Sequence, residues 1–194
     1  MRKIIEQIVA AIALLVLAPL LLILAVIVRC ETRGNPVFVQ ERVGLNLKTF
    51  KLYKFRTMFH QHPNVRHFTL EGDERVTPLG RMMRRFKLDE LLQLYNVARG
   101  DMSFVGPRPQ MASVAALYDP DKLKRIYSVR PGITGLDSLM FSHEAQALAA
   151  ADDPVQYYQK CVRQKERICM RYVRKKSLML DLGIVVRTII KIFS

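Results

Sequence analysis

The strongest pattern in the chain is an unbroken apolar block. Ile8 to Val28 holds 21 residues without a charge, long enough to cross a bilayer as a helix. Pro19 sits near its middle, removing one helical hydrogen bond and crowding the preceding turn, so a kink or break is expected there. Arg2 and Lys3 precede the block, and Arg29 and Arg33 follow it. With both flanks basic, the positive-inside rule gives no direction. A kinked span and a re-entrant hairpin both remain open. A cleaved signal peptide fits poorly, because the block is too long and RCETRGNP offers no small-residue cleavage site.

Beyond residue 33 the pattern changes. Residues 36–58 are rich in Val, Phe, Tyr and Thr and read as a β-hairpin turning near Gly44-Leu45-Asn46. Residues 59–78 are polar and loop-like. Leu79–Lys87 and Leu88–Ala98 read as helices, the second because Leu88, Leu91, Leu92 and Tyr95 fall at i, i+3, i+4 and i+7. Gly100 is its expected stop. Met111–Val129 suggests one helix ending before Pro131-Gly132. In 154–176 apolar residues alternate with Lys and Arg, and Leu178–Phe193 is mostly apolar. The last two segments have the composition of basic interfacial helices, and ordinary core packing would explain Leu178–Phe193 equally well. The organisation expected is an anchor over 1–33 and a catalytic domain over 34–194.

Charge sharpens this. Lys and Arg number 31 against 17 Asp and Glu, a net charge of +14 in 194 residues. Such a field suits an anionic partner: nucleic acid, phosphate-bearing substrates or lipid headgroups. The apolar N-terminus and the absence of zinc-finger, RNP or zipper motifs argue against nucleic acid. Cys30, Cys161 and Cys169 form an odd set without CxxC spacing, which fits reduced thiols in a cytosolic setting. His60, His62 and His67 lack a completing carboxylate or Cys set and read as solvated loop residues.

Inside this positive charge lies an adjacent acidic pair, Asp89-Glu90. On a helix, neighbouring side chains point about 100° apart, so the two cannot act as a matched acid and base on one atom. They can divide labour, one attacking and the other holding a cation. A carboxylate is a competent nucleophile toward phosphorus, and Mg²⁺ is commonly held by one or two carboxylates plus substrate phosphates. The surrounding arginines and a helix N-terminus are expected to favour the ionised form. The plain alternative is a capping acid followed by a surface acid. Gly106-Pro107-Arg108-Pro109 follows closely, with Arg108 stiffened between prolines, a setting suited to bidentate phosphate binding. Asp101 reads as a turn residue.

KFRTM (54–58), LDELLQLYNVARGDMSFVGPRP (88–109) and VRPGITG (129–135), with PVFVQERVG (36–44), together resemble the bacterial sugar transferases. These are monotopic phosphoglycosyl transferases acting on a polyprenol phosphate. The resemblance covers roughly residues 1–193. It implies transfer of a sugar-1-phosphate from a UDP-sugar to polyprenol phosphate by a two-step route, with a covalent aspartyl intermediate and release of UMP. By position it makes Asp89 the nucleophile and Glu90 the Mg²⁺ ligand. Candidate phosphate-binding residues are Lys54, Arg56, Arg84, Arg108, Pro109 and Arg130. It also implies a re-entrant membrane helix broken at a Ser-Pro pair, matched here by Ala18-Pro19 without the hydroxyl. The catalytic domain is then expected on the cytoplasmic face of the bacterial inner membrane.

The fold class expected is α/β mixed and mostly helical: re-entrant anchor, small β-hairpin and a core with amphipathic interfacial helices. Two departures stand out. Lys87 occupies a position where many relatives have Ser, and 136–154 replaces their usual W-A-Q-V-x-G-R run, so no sugar preference carries over. Membrane lipids are expected partners, nucleic acid is not, and the oligomeric state is open. A non-catalytic, basic, membrane-anchored interaction module is the competing class, and it leaves the acidic pair and GPRP unexplained.

Overall fold

A computed structural model describes residues 2–59, 72–141 and 144–193. His60, His62 and His67 and most of the 59–78 loop lie outside them. The described residues are mostly helical, with two small sheets.

The apolar block lies within α1, Arg2–Thr32, which is helical across Pro19. Among the described residues it is the one helix long and apolar enough to cross a membrane. One stripe of it packs on the domain. Ala10, Ala13, Leu14 and Leu17 meet Leu94, Val97 and Met102. Leu21, Leu24, Ala25 and Val28 meet Phe55 and Met83. Ile8, Ile12, Leu15, Val16, Leu22, Ile23 and Val26 stay exposed. Both ends of α1 are pinned: Ser103 donates to Glu6 (2.7 Å) and Gln7 to the Ala98 carbonyl (3.0 Å). At the far end the Leu79 amide donates to Glu31 (3.0 Å).

The hairpin forms as its composition and turn residues predict. β1 (Val37–Val43) runs antiparallel to β2 (Thr49–Phe55), pairing Val37 with Phe55 and Val43 with Thr49. The connection is a 3₁₀ turn, Leu45–Leu47, with Asn46 and Leu47 at positive φ. At Gly44 a Cβ would meet the Phe50 ring at 2.8 Å, so a side chain there would collide with the hairpin.

α2 (Pro78–Arg85) starts at Thr77, whose hydroxyl accepts from the Gly80 amide (2.9 Å), with Pro78 in the first turn. The helix expected over Leu88–Ala98 is not continuous. Lys87 adopts a left-handed conformation (φ 57°) and turns the chain, so Leu88–Glu90 is a separate 3₁₀ turn. α3 then runs only over Gln93–Arg99, closed by Gly100 at φ 85°. The apolar spacing still reports packing, since Leu88, Leu91 and Leu92 lie against Met83, although Tyr95 is exposed.

Met111–Val129 also divides, into α4 (Ala112–Ala115) and α5 (Pro120–Ile126). Pro120 disfavours helical geometry in the residue before it, and Asp119 instead caps α5 by accepting from the Asp121 and Lys122 amides. A parallel pair, β3 (Ser103–Val105) with β4 (Gly132–Thr134), joins two of the glycine-containing loops. The strands are too short to show periodicity. Gly106 and Gly132 touch so closely that a Cβ on Gly132 would sit 2.1 Å from the Gly106 nitrogen.

α6 (Leu136–Met140), α7 (Glu144–Ala149), α8 (Pro154–Lys175) and α9 (Leu178–Phe193) complete the chain. α8 buries Val162, Cys169 and Tyr172. Not every charge on it is solvated. Lys165 is enclosed between the Phe141 and Tyr158 rings and ion-paired to Glu144 at 2.6 Å. α9 turns Asp181 and Ile184 inward and leaves Leu178, Met179, Leu182, Val186, Ile189, Ile190 and Phe193 exposed.

Candidate active site

The site is built where α2, the Leu88–Glu90 turn, β2 and the 106–110 loop converge. The left-handed Lys87 aims the next two side chains differently. Asp89 is 6 % exposed, and its Oδ1 is enclosed without a hydrogen-bond partner. Glu90 turns toward Arg108, which donates to its Oε1 at 2.9 Å. Arg108 remains 43 % exposed, whereas the Glu90 side chain is 12 % exposed.

Electrostatics separate the two carboxyls. Burial, then the charge of Glu90, pushes Asp89 up to about 6, against the pull of Lys54, Lys87 and Arg84. This corrects the expectation that nearby cations and a helix N-terminus would favour ionisation of Asp89. The cations do pull that way, but desolvation outweighs them, and a 3₁₀ turn provides no long helix terminus. Glu90 behaves oppositely. Burial raises it, but Arg108, Lys87 and Lys54 together hold it down at about 2. Lys54, cross-strand from Phe38 with Nζ 5.2 Å from that ring's centre, is lowered by burial to about 8 even though Asp89 pulls it up.

The remaining predicted residues fall into three groups. Arg84 belongs to the site: its Nε donates to Thr57 Oγ1 (2.9 Å) and its charge reaches both carboxyls. Arg108 and Pro109 lie on a loop fixed on all sides. The Arg108 amide donates to Asp137 Oδ2 (3.1 Å) and its carbonyl accepts from Tyr127 Oη (3.0 Å). The Gln110 amide donates to the same hydroxyl (3.1 Å), and its carbonyl accepts from the Val43 amide (2.9 Å). The stiffness expected from two prolines is therefore reinforced by these hydrogen bonds. Arg56 and Arg130 each have an enclosed Nη1 without a partner. The charge of Arg130 acts on Lys176, which follows the last residue of α8, and it is not among the leading influences on the acidic pair.

Three participants were missed by sequence reasoning. Arg42 lies in the quoted QERVG block, and its Nη1 donates to the Pro109 carbonyl (3.3 Å). Tyr127 stands three residues before Arg130, where nothing local marks it. Asp137 lies in the divergent segment, and only the packing of α6 reveals it. Among the described residues no three His, Cys, Asp or Glu side chains cluster as a metal site. The donor set instead suits a cation held by one carboxylate, Glu90, and completed by substrate phosphates and water.

A buried carboxylate with an unpartnered oxygen, ringed by fixed cations, can attack an anionic phosphorus centre. The family model described as bacterial sugar transferase matches residues 1–194. The chain is 36 % identical over 183 residues to a UDP-N-acetylgalactosamine-undecaprenyl-phosphate N-acetylgalactosaminephosphotransferase of Aeromonas hydrophila, covering 93 % of this chain and 40 % of that one. It is 36 % identical over 193 residues to a UDP-glucose:undecaprenyl-phosphate glucose-1-phosphate transferase of Caulobacter vibrioides, covering 97 % and 68 %. It is 35 % identical over 188 residues to an exopolysaccharide production protein of Rhizobium leguminosarum, covering 92 % and 88 %. The chain thus spans well under half the length of the Aeromonas relative and most of the Rhizobium one. With every residue inside the matched region, the chain belongs to the bacterial sugar transferase family.

Proposed function

We propose that this protein transfers a sugar-1-phosphate from a UDP-sugar to polyprenol phosphate at the cytoplasmic face of the bacterial inner membrane. The observation that carries the reading is Asp89, enclosed and held basic by burial, beside a Glu90 that Arg108 keeps ionised. An Asp89 oxygen attacks the sugar-bearing phosphorus. The bond from that phosphorus to the bridging oxygen breaks, and its electron pair leaves with UMP. A phosphate oxygen of polyprenol phosphate then attacks the same phosphorus and frees the Asp89 carboxylate. No proton need move in either displacement, which fits a site without a histidine among its described residues. Lys54, Arg84 and Arg108 counter the phosphate charge, with Arg56 and Arg130 as further phosphate contacts. Mg²⁺, held by Glu90 and the substrate phosphates, would add charge neutralisation at the reacting diphosphate.

Attachment to the membrane follows from α1 and α9. Many of their apolar side chains stay exposed, and Arg187 and Lys191 on α9 suit lipid phosphates. α1 is read as re-entrant, because its two ends bind the same domain. The homologues' names carry the undecaprenyl-phosphate acceptor.

The test is UMP release from a panel of UDP-sugars by protein in detergent with Mg²⁺ and undecaprenyl phosphate. Release with one sugar, abolished in Asp89→Asn, is expected. Equal release by both proteins would remove Asp89 as the nucleophile.

A further inference from the structure

Asp181 is a carboxylate turned inward from an apolar helix. It is 4 % exposed, and the other charges of α9, Arg187 and Lys191, come later along it. Burying a carboxylate is costly unless it is paired and hydrogen-bonded, and Asp181 is both. Its Oδ2 accepts from Arg2 Nη2 of α1, and its Oδ1 accepts from the hydroxyl of Tyr172 on α8 at 2.8 Å. The same hydroxyl lies 3.2 Å from the Val105 carbonyl oxygen. A hydroxyl has one proton, so Tyr172 shares it between the two acceptors.

Arg2 also holds a second acid. Its Nε donates to Glu6 Oε1 (3.0 Å), and Glu6 Oε2 accepts from Ser103 Oγ (2.7 Å). One guanidinium therefore gathers two carboxylates. Glu6 reaches Ser103 directly, and Asp181 reaches Val105 through Tyr172. Together they grip both ends of β3, and they do so from α1 and α9, the two helices with the longest exposed apolar faces.

β3 runs straight into the loop that carries Arg108. The Gly106 amide donates to the Thr134 carbonyl (3.0 Å), and the Pro107 carbonyl accepts from the Gly132 amide (3.1 Å). A shift of β3 would thus pass along a short, proline-stiffened backbone to Arg108. Apolar faces tolerate several registers, whereas a buried ion pair with fixed partners is satisfied in one. We propose that Asp181 and Tyr172 are positioning residues for donor binding. They lock α1, α9 and β3 in a single register and so hold Arg108 where it meets the donor diphosphate. Both act through Arg108 and neither belongs to the reacting groups. This assignment rests on the nucleotide-sugar reading above.

The experiment combines initial rates over donor concentration with hydrogen exchange of residues 103–110. The donor is the UDP-sugar that wild type turns over, with Mg²⁺ and undecaprenyl phosphate. Full-length protein in detergent is compared as wild type, Tyr172→Phe, Asp181→Ala and Asp181→Asn, with thermal melting to establish that each is folded. Tyr172→Phe keeps the buried ring and removes only the hydroxyl, so it tests the contact even where Asp181→Ala fails to fold. Tyr172→Phe and Asp181→Ala are expected to raise the donor KM about tenfold, with kcat changed less than about threefold, and to speed exchange over 103–110. Asparagine at 181 can accept from Arg2 and donate to the Tyr172 oxygen, so Asp181→Asn should recover part of the KM. The double variant Tyr172→Phe/Asp181→Ala should be no worse than the weaker single one, because Asp181 reaches the loop through Tyr172. Unchanged donor KM in a folded Tyr172→Phe would overturn the inference and leave the donor reading intact. A lower melting temperature and lower kcat at unchanged KM would also overturn it, reducing the cluster to a brace for the fold. Wild type that turns over no UDP-sugar would overturn the donor reading and this inference with it.

Discussion

Asp89→Asn is expected to abolish transfer and, at the same time, to stabilise the protein. The carboxyl is pushed from its ordinary 3.8 up to about 6, first by burial and then by Glu90. At 1.36 kcal/mol per pH unit this is about 3 kcal/mol of destabilisation once Asp89 is ionised in the folded protein. The sign is fixed by proton uptake. Between pH 3.8 and about 6 the folded chain holds a proton that the unfolded chain releases, so stability falls as pH rises through that window and stays reduced above it. Asparagine carries no charge to desolvate and removes the repulsion on Glu90. At pH 7.5 the variant should melt about 6–12 °C higher, using roughly 2–4 °C per kcal/mol for a chain of this size. Near pH 4 the two melting curves should converge. Thermal melting in detergent from pH 4 to 8 measures this. A variant that melts at or below wild type at every pH would refute the claim that Asp89 is held against its own desolvation. Activity gives an independent check, since attack needs the carboxylate. The wild-type rate should rise with pH through about 6 and level off above it.

Three further substitutions or treatments probe the same geometry. Glu90→Gln removes the ion pair to Arg108 and the proposed cation ligand, so turnover should fall at least about 100-fold and need more Mg²⁺, read from rate against Mg²⁺ concentration. EDTA should abolish UMP release and added Mg²⁺ restore it, and release that survives chelation would remove the metal from the proposal. Asp137→Ala deprives the Arg108 amide of its acceptor, an unsatisfied group worth about 1–3 kcal/mol. It should raise the donor KM about tenfold, whereas Asp137→Asn, which keeps an acceptor oxygen, should stay near wild type.

The sequence made local structure legible where one residue type decides it. Gly100 ends α3, and the Val-, Phe- and Tyr-rich run around Gly44 gives the β1–β2 hairpin. Pro120 carries an equally local signal, which the reading of 111–129 as one helix passed over. The 3₁₀ turn at the acidic pair was not legible, because a lysine in left-handed geometry has no distinctive pattern. The direction of the Asp89 shift was misread for a related reason. Charge can be counted along a chain, but desolvation depends on what packs over a side chain. The same holds for Asp137 and Tyr127, which reach Arg108 from 29 and 19 residues away. Arg108 itself was legible, since its prolines announce a rigid loop.

The proposed re-entry of α1 rests on contacts that a spanning helix could not keep. At 1.5 Å per residue its 31 residues extend about 45 Å if straight, more than the roughly 30 Å hydrocarbon core. A span would therefore put one end across the membrane from the domain. Yet Glu6 and Gln7 are bound by Ser103 and Ala98, and Glu31 by Leu79. The buried stripe from Ala10 to Val28 would also have to leave Leu94, Met102, Phe55 and Met83. Both ends are therefore expected on the cytoplasmic side. Cys30 is a built-in probe of one end, being exposed on α1 while Cys161 and Cys169 are buried. Lys3→Cys in a Cys30→Ser background reports the other. In intact spheroplasts a membrane-impermeant maleimide should label neither site, and permeabilisation should expose both. Labelling of the Lys3 site from outside, with Cys30 protected, would establish a span and separate the N-terminal end of α1 from the domain that binds it here.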